Sequence, residues 1–162
     1  MTPEAKTEME WTEILGQFSQ KTGLTACLAD AKAVHLQCVG QHFPLCLAIR
    51  NKKESLTSIC AQTATVMTAM VNKTHKVEME FCQAGMIRLV VPLLDQGSVV
   101  GQISACGAQS SEEEPDFFLI SKELGISEST AQDLGSTTPT ASWKELDQHA
   151  LALFDELHST SP

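Results

Sequence analysis

The chain has no tyrosine, and aromatic residues fill only 5% of its 162 positions. Core volume must therefore come from Leu, Val, Ile, Met and Ala. The apolar total of 43% is that of a globular chain rather than a disordered one. No apolar run approaches the length of a membrane span, and Met1–Lys6 holds no signal-peptide core. Those absences set a cytoplasmic location as the expectation. The P-loop, the dinucleotide-binding glycine pattern, the H-E-x-x-H motif and the G-x-S-x-G elbow are all missing. No two cysteines are separated by only two residues, which removes zinc-ribbon and thioredoxin patterns.

Positive charge is also scarce, and unevenly so. Residues 1–107 carry nine acids and nine bases, whereas residues 108–162 carry eleven acids against Lys122 and Lys144. The whole net charge of −9 thus belongs to the C-terminal third. A face of that sign repels nucleic acid and anionic membrane, so neither is expected as a partner. The one basic cluster, Arg50, Lys52 and Lys53, reads as a solvated helix end.

What is present is a regular alternation of elements. Residues 1–10 read as a flexible N-terminus and 11–162 as one domain, with a core at 11–107 and an acidic helical region at 108–158. Trp11, Ile14, Leu15 and Phe18 mark one face of a helix ending near Gly23. Leu24–Leu28 and Val34–Val39 flank the turn Asp30–Lys32 as a hairpin. Pro44 opens a short helix through Arg50. A longer helix follows over 54–72, with Leu56, Ile59, Cys60, Thr63, Val66, Met67 and Met70 as its apolar stripe.

From Lys76 the period switches to two. Val77, Met79 and Phe81 alternate with Glu78, Glu80 and Cys82, then Gln83–Gly85 turns the chain into the apolar run Met86–Leu94. Asp95-Gln96-Gly97 joins that run to Val99–Cys106, completing an antiparallel meander. Short helices over 117–124 and 127–134 follow. A last helix opens on the capping box Ser142–Glu145 and continues through Leu146, Ala150, Leu153 and Leu157. The order predicts an α+β fold, an antiparallel sheet of about five strands flanked by helices, with further helices at the C-terminus.

Six cysteines are the residues with chemistry to offer. In a reducing compartment they read as buried residues, metal ligands or redox groups rather than disulfides. Cys27 and Cys38 read as small hydrophobes packed in the core. Cys82 lies on the strand face of Glu78 and Glu80, so alternation does not explain it. It also precedes a turn whose free amides suit a thiolate or a cluster sulfur. Cys106 and Cys82 each stand one strand length from the Asp95–Gly97 hairpin and so fall at one end of the sheet. Cys46 and Cys60 belong to the helices that cover it. Four thiols meeting there would suit a [4Fe–4S] cluster or zinc; four thiols packed separately would be structural. Among the histidines, His42 stands four residues from Cys46, and His149 and His158 read as surface residues of the last helix.

Cys46-Leu47-Ala48-Ile49-Arg50, Cys60, Cys82-Gln83-Ala84-Gly85-Met86, Val91-Pro92-Leu93 and Gly97…Gly101 occur in an order that resembles the PocR-type sensory domain. The resemblance spans most of residues 11–158. Gln83 stands where that family's third-cysteine motif carries a His or similar residue. The resemblance implies a PAS-like sensor of bacterial signal transduction with a central pocket for a small organic molecule. Its members are usually attached to an output module; here a stand-alone sensor is expected, not an enzyme. Cys46, Cys60, Met67, Met79, Cys82, Gln83, Gly85 and Met86 are the expected ligand-binding residues. The acidic helices are expected to report the bound state to a signalling protein, with a homodimer as the expected assembly. A metal or cluster sensor using Cys46, Cys60, Cys82 and Cys106 is the alternative, and a thiol enzyme with Cys82 as nucleophile is the third reading.

Overall fold

A computed structural model describes residues 1–159; the last three residues of the domain expected to run to 162 lie outside the described residues. The elements are α1 (Glu8–Thr22), β1 (Thr25–Asp30), β2 (His35–Val39), α2 (Pro44–Asn51), α3 (Lys53–Ser55), a π-helical segment (Leu56–Ala61) and α4 (Gln62–Thr74). They continue with β3 (Glu78–Phe81), β4 (Met86–Asp95), β5 (Ser98–Ser110), α5 (Phe117–Leu124), α6 (Glu128–Gly135), β6 (Thr140–Ala141) and α7 (Trp143–Ser159). The fold class is α+β as expected. The strands run in the order β2-β1-β5-β4-β3, antiparallel throughout, with β6 added parallel to the end of β5.

The first ten residues are not a bare tail. The N-terminal amine donates to the carbonyl of Leu94, and Trp11 Nε1 donates to the carbonyl of Pro3, itself buried. Thr7 and Glu10 form a reciprocal capping box that starts α1, and Gly23, left-handed at φ 72°, ends it.

Alternation along β4 and β5 divides the sheet into two faces. Ile87, Leu89, Val91 and Leu93 of β4 share one face with Ile103 and Ala105 of β5. That face packs with Trp11, Leu15 and Phe18 of α1 and with Leu146, Ala150, Leu153 and Leu157 of α7. His158 is tied into this layer as well, because its Nε2 accepts the N–H of Leu94. It is therefore half-buried, not the surface residue expected. The opposite face carries Arg88 and Val90 of β4, Ser104 and Cys106 of β5, and Cys27 of β1, and is covered by α2 to α6.

Two expectations need correction. Cys27 and Cys38 are not separate core thiols: they stand opposite each other in the β1–β2 ladder, Cα atoms 4.1 Å apart, and are joined as a disulfide. The hairpin register imposes this. Asp30 Oδ1 accepts the N–H groups of Lys32 and Val34, fixing the turn so that the two residues meet. The apolar stripe of the 54–72 helix is also displaced. Its buried residues are Ser55, Ile59, Thr63, Met67 and Val71, four apart, while Val66 is 53% exposed. The π-helical segment causes the shift, since the Gln62 N–H bonds five residues back to Thr57 and widens the turn.

Candidate functional site

A bulge aims the sheet at the helices. Arg88 pairs with Cys106 and Ile87 with Ala108, which leaves Gly107 as the extra residue of β5. Gly107 takes φ 110°, and a Cβ there would lie 3.9 Å from Cys46 Sγ. The bulge keeps Cys106 on the helix-covered face and lets α2 bring Cys46 down onto the strand.

Cys82 reaches the same place from β3. It follows that strand directly and opens a turn in which its N–H donates to the Met86 carbonyl and its carbonyl accepts from Gly85. The N–H groups of Ala84 and Met86 face its sulfur. Cys60 arrives from the π-helical segment, whose wide turn places it beside Ile59 at the cavity wall. Cys46, Cys60, Cys82 and Cys106, the four free thiols of the chain, thus line one cavity of about 30 Å³, together with Met86 and Arg88. Its remaining walls are Ile49, Ile59, Thr63, Gly107, His42 and Arg50.

Burial governs the chemistry of these thiols. It pushes Cys46 up to about 12 and Cys60 to about 11, and it raises Cys82 as well. The sulfurs repel one another as thiolates, which adds to the shift at all three. At Cys82 the two turn amides pull the other way, the arrangement that stabilises a thiolate once it forms. His42, crowded by the protein and facing Arg50 and His35, has its pKa lowered and is neutral at pH 7.

The spacing of donors separates two metal chemistries. Among the described residues, Cys27, His35 and Cys38 are the one set of three donors mutually within 4.8 Å, and two of them are already joined to each other. The four cavity sulfurs stand wider. A tetrahedral zinc needs sulfurs about 3.8 Å apart. A cubane cluster holds its thiolates farther apart, because irons and sulfides stand between them.

The other expected ligand residues lie elsewhere. Met67 packs with Val71 and Val90 in a separate buried cluster. Met79 packs against the α1–α7 side of the sheet. Gln83 is exposed in the turn, and Gly85, at φ 80°, packs its backbone against Pro115 and Asp116. Arg88 is the residue that sequence reasoning passed over. Its signal is an arginine inside the otherwise apolar run Met86–Leu94, a position that burial makes costly. Arg50, expected at a solvated helix end, lines the cavity wall.

The fold is an antiparallel sheet flanked by helices, with a thiol-lined cavity on one face. Residues 7–160 match the family described as "Sensory domain found in PocR", and the chain belongs to that family. No curated protein sequence matches it. Among solved structures, a crystallised domain (residues 129–302) of a protein assigned to the IclR family of transcriptional regulators is similar at 13% identity. The similarity covers 93% of this chain and 95% of that one, with a TM-score of 0.38. No described helix is long and apolar enough to cross a membrane.

Proposed function

We propose that this sensory domain works through its thiol cavity, which holds a metal centre ligated by Cys46, Cys60, Cys82 and Cys106. A [4Fe–4S] cluster fits best and zinc is the runner-up. The carrying observation is that all four free thiols of the chain, from α2, the π-helical segment, the β3–β4 turn and β5, line one cavity. Size supports this reading over an organic ligand in the same space. Pockets for organic molecules run to about 300–1,000 Å³, far above the 30 Å³ found here. Metal–sulfur bonds of roughly 2.3 Å put the eight core atoms of a cubane within about 12 Å³ of centre space. The small organic molecule expected from the sequence is therefore not proposed for this cavity.

The thiols respond to occupancy through protons. Burial keeps Cys46, Cys60 and Cys82 protonated when the cavity is empty, and each must release its proton to ligate, so filling the site is favoured by rising pH. The same raised pKa values oppose a nucleophilic role for Cys82, since the thiolate is the reactive form. α2, which carries Cys46, packs against α5 and α6. A change at the sulfurs therefore has a direct route to the acidic helices, where a signalling partner would read it.

Anaerobic purification followed by iron, sulfide and zinc analysis and a visible spectrum tests the proposal. About four irons and four sulfides per chain, with a brown colour, is the expected result. One zinc per chain with no iron would move the assignment to zinc, and a colourless, metal-free protein that takes up neither would sink the metal reading.

A further inference from the structure

Arg88 is 7% exposed, and its Nε is buried with no hydrogen-bond partner. Among the described residues the single ion pair joins the N-terminal amine to Asp95, so neither Arg88 nor Arg50 has a carboxylate within reach. Glu80 stands opposite Arg88 in the β3–β4 register, yet it is exposed and makes no ion pair. A guanidinium with its Nε taken out of water and unpaired carries a desolvation cost, which an anion reaching its open side would offset.

Both arginines also line a second space. Outside the thiol cavity an open cleft of about 400 Å³ is bordered by Arg50, Arg88, His35 and Cys60, with Leu56 and Ala64 among its apolar residues. Its volume is that of a small-metabolite pocket. No Asp or Glu lines it. His35 is crowded by the protein and repelled by Arg88 and Arg50, so it is neutral at pH 7 and offers hydrogen bonding without a competing charge. The cleft therefore has a cationic end, a neutral polar group and an aliphatic wall.

We propose that this cleft binds a small organic carboxylate, its charged end on the guanidinium groups of Arg88 and Arg50 and its carbon chain along Leu56 and Ala64. The planar fork of arginine matches a carboxylate with two parallel hydrogen bonds, which an alcohol or amide does not reproduce. Arg50, Cys60 and Arg88 border both spaces, so an occupant of the cleft lies against the thiol site. Occupancy of either space then alters affinity at the other, and by linkage the effect is reciprocal. The inference rests on the sensory reading of the domain but not on the metal centre.

Calorimetric titration and thermal melting of the full chain, with cavity thiols reduced and metal-free, test it with butyrate, succinate, inorganic phosphate and the uncharged isostere butyramide. Butyrate or succinate is expected to bind and to raise the melting temperature, with butyramide at least about tenfold weaker. Arg88→Met and Arg50→Met should each weaken the carboxylate at least about tenfold, with Arg88→Lys in between. Arg88→Met should melt no lower than the parent when free, which separates lost binding from lost folding. Equal binding of butyrate and butyramide, binding of phosphate alone, binding of none of the four, or an unchanged affinity in Arg88→Met would overturn the proposal. A chain that binds butyrate but never takes up metal would lose the metal centre and keep this site, and the converse result would do the reverse.

Discussion

The two faces of this sheet solve opposite problems. The face against α1 and α7 is dominated by apolar side chains: Leu89, Val91, Leu93 and Ile103 pack with Trp11, Leu15 and Leu153, and His158 is tied in through the Leu94 N–H. The face against α2 to α6 is interrupted by four thiols, two arginines and a π-helical segment. One side is built for stability and the other tolerates groups that folding alone does not favour. A buried unpaired Arg88 and a left-handed bulge residue at Gly107 persist on the second face because the first supplies the stability.

The sharpest way to break this contrast is to truncate each face in turn. Leu89→Ala, fully buried on the apolar face, should lose about 2–5 kcal/mol in denaturant unfolding. Cys60→Ser, half-buried on the other face, should lose under about 1.5 kcal/mol in the metal-free protein. Equal losses would erase the distinction between the faces.

The disulfide gives the next largest effect. Cys38→Ser opens a link that closes an 11-residue separation and should cost about 2–3 kcal/mol in oxidising buffer, but almost nothing once dithiothreitol has reduced the parent chain. A full loss in reducing buffer would assign the cost to packing instead of the bond.

Alkaline titration probes the thiol face directly. Cys46 and Cys60 titrate near 12 and 11 when folded, above the ordinary thiol value near 9.0. The unfolded chain therefore releases protons first. The stability they contribute is whole below about pH 9 and is lost as pH rises toward 11–12. The Cys46→Ser/Cys60→Ser double variant should flatten that decline relative to the parent. The smallest effect has the opposite sign to the rest: Arg88→Met should leave the free protein unchanged or slightly more stable, by up to about 1 kcal/mol. A marked loss would mean that Arg88 is satisfied in solution.

Much of this was legible in the residues. The period of two in Val77–Phe81 and the Asp95–Gly97 turn placed the meander, and the cysteine order carried the family. Convergence of the four sulfurs was legible only as an alternative, because it depends on the Gly107 bulge and on how α2 sits over it. Neither leaves a mark in hydrophobic periodicity. The disulfide was not legible from simple pairing: matching Leu24–Leu28 with Val34–Val39 end to end sets Cys27 against His35 or Leu36, and Cys27 meets Cys38 because the ladder shifts between Leu28 and Ala29. The expectation of a reducing compartment pointed away from the pair as well. Met79, expected at the ligand, alternates with Glu78 and Glu80 and so lies on the other face from Cys82. Val66 followed from assuming a regular helix, and the π-helical turn removed it from the buried stripe.

The central claim is that four sulfurs from four elements act as one site, and single substitutions measure that unity. Cys46→Ser, Cys60→Ser, Cys82→Ser and Cys106→Ser, purified anaerobically beside Cys38→Ser, would each be assayed for iron, sulfide and zinc per folded chain. The account predicts that each of the four cavity variants loses most of the bound metal while Cys38→Ser keeps the parent content. Parent-level metal in all four cavity variants, or loss in Cys38→Ser alone, would contradict it.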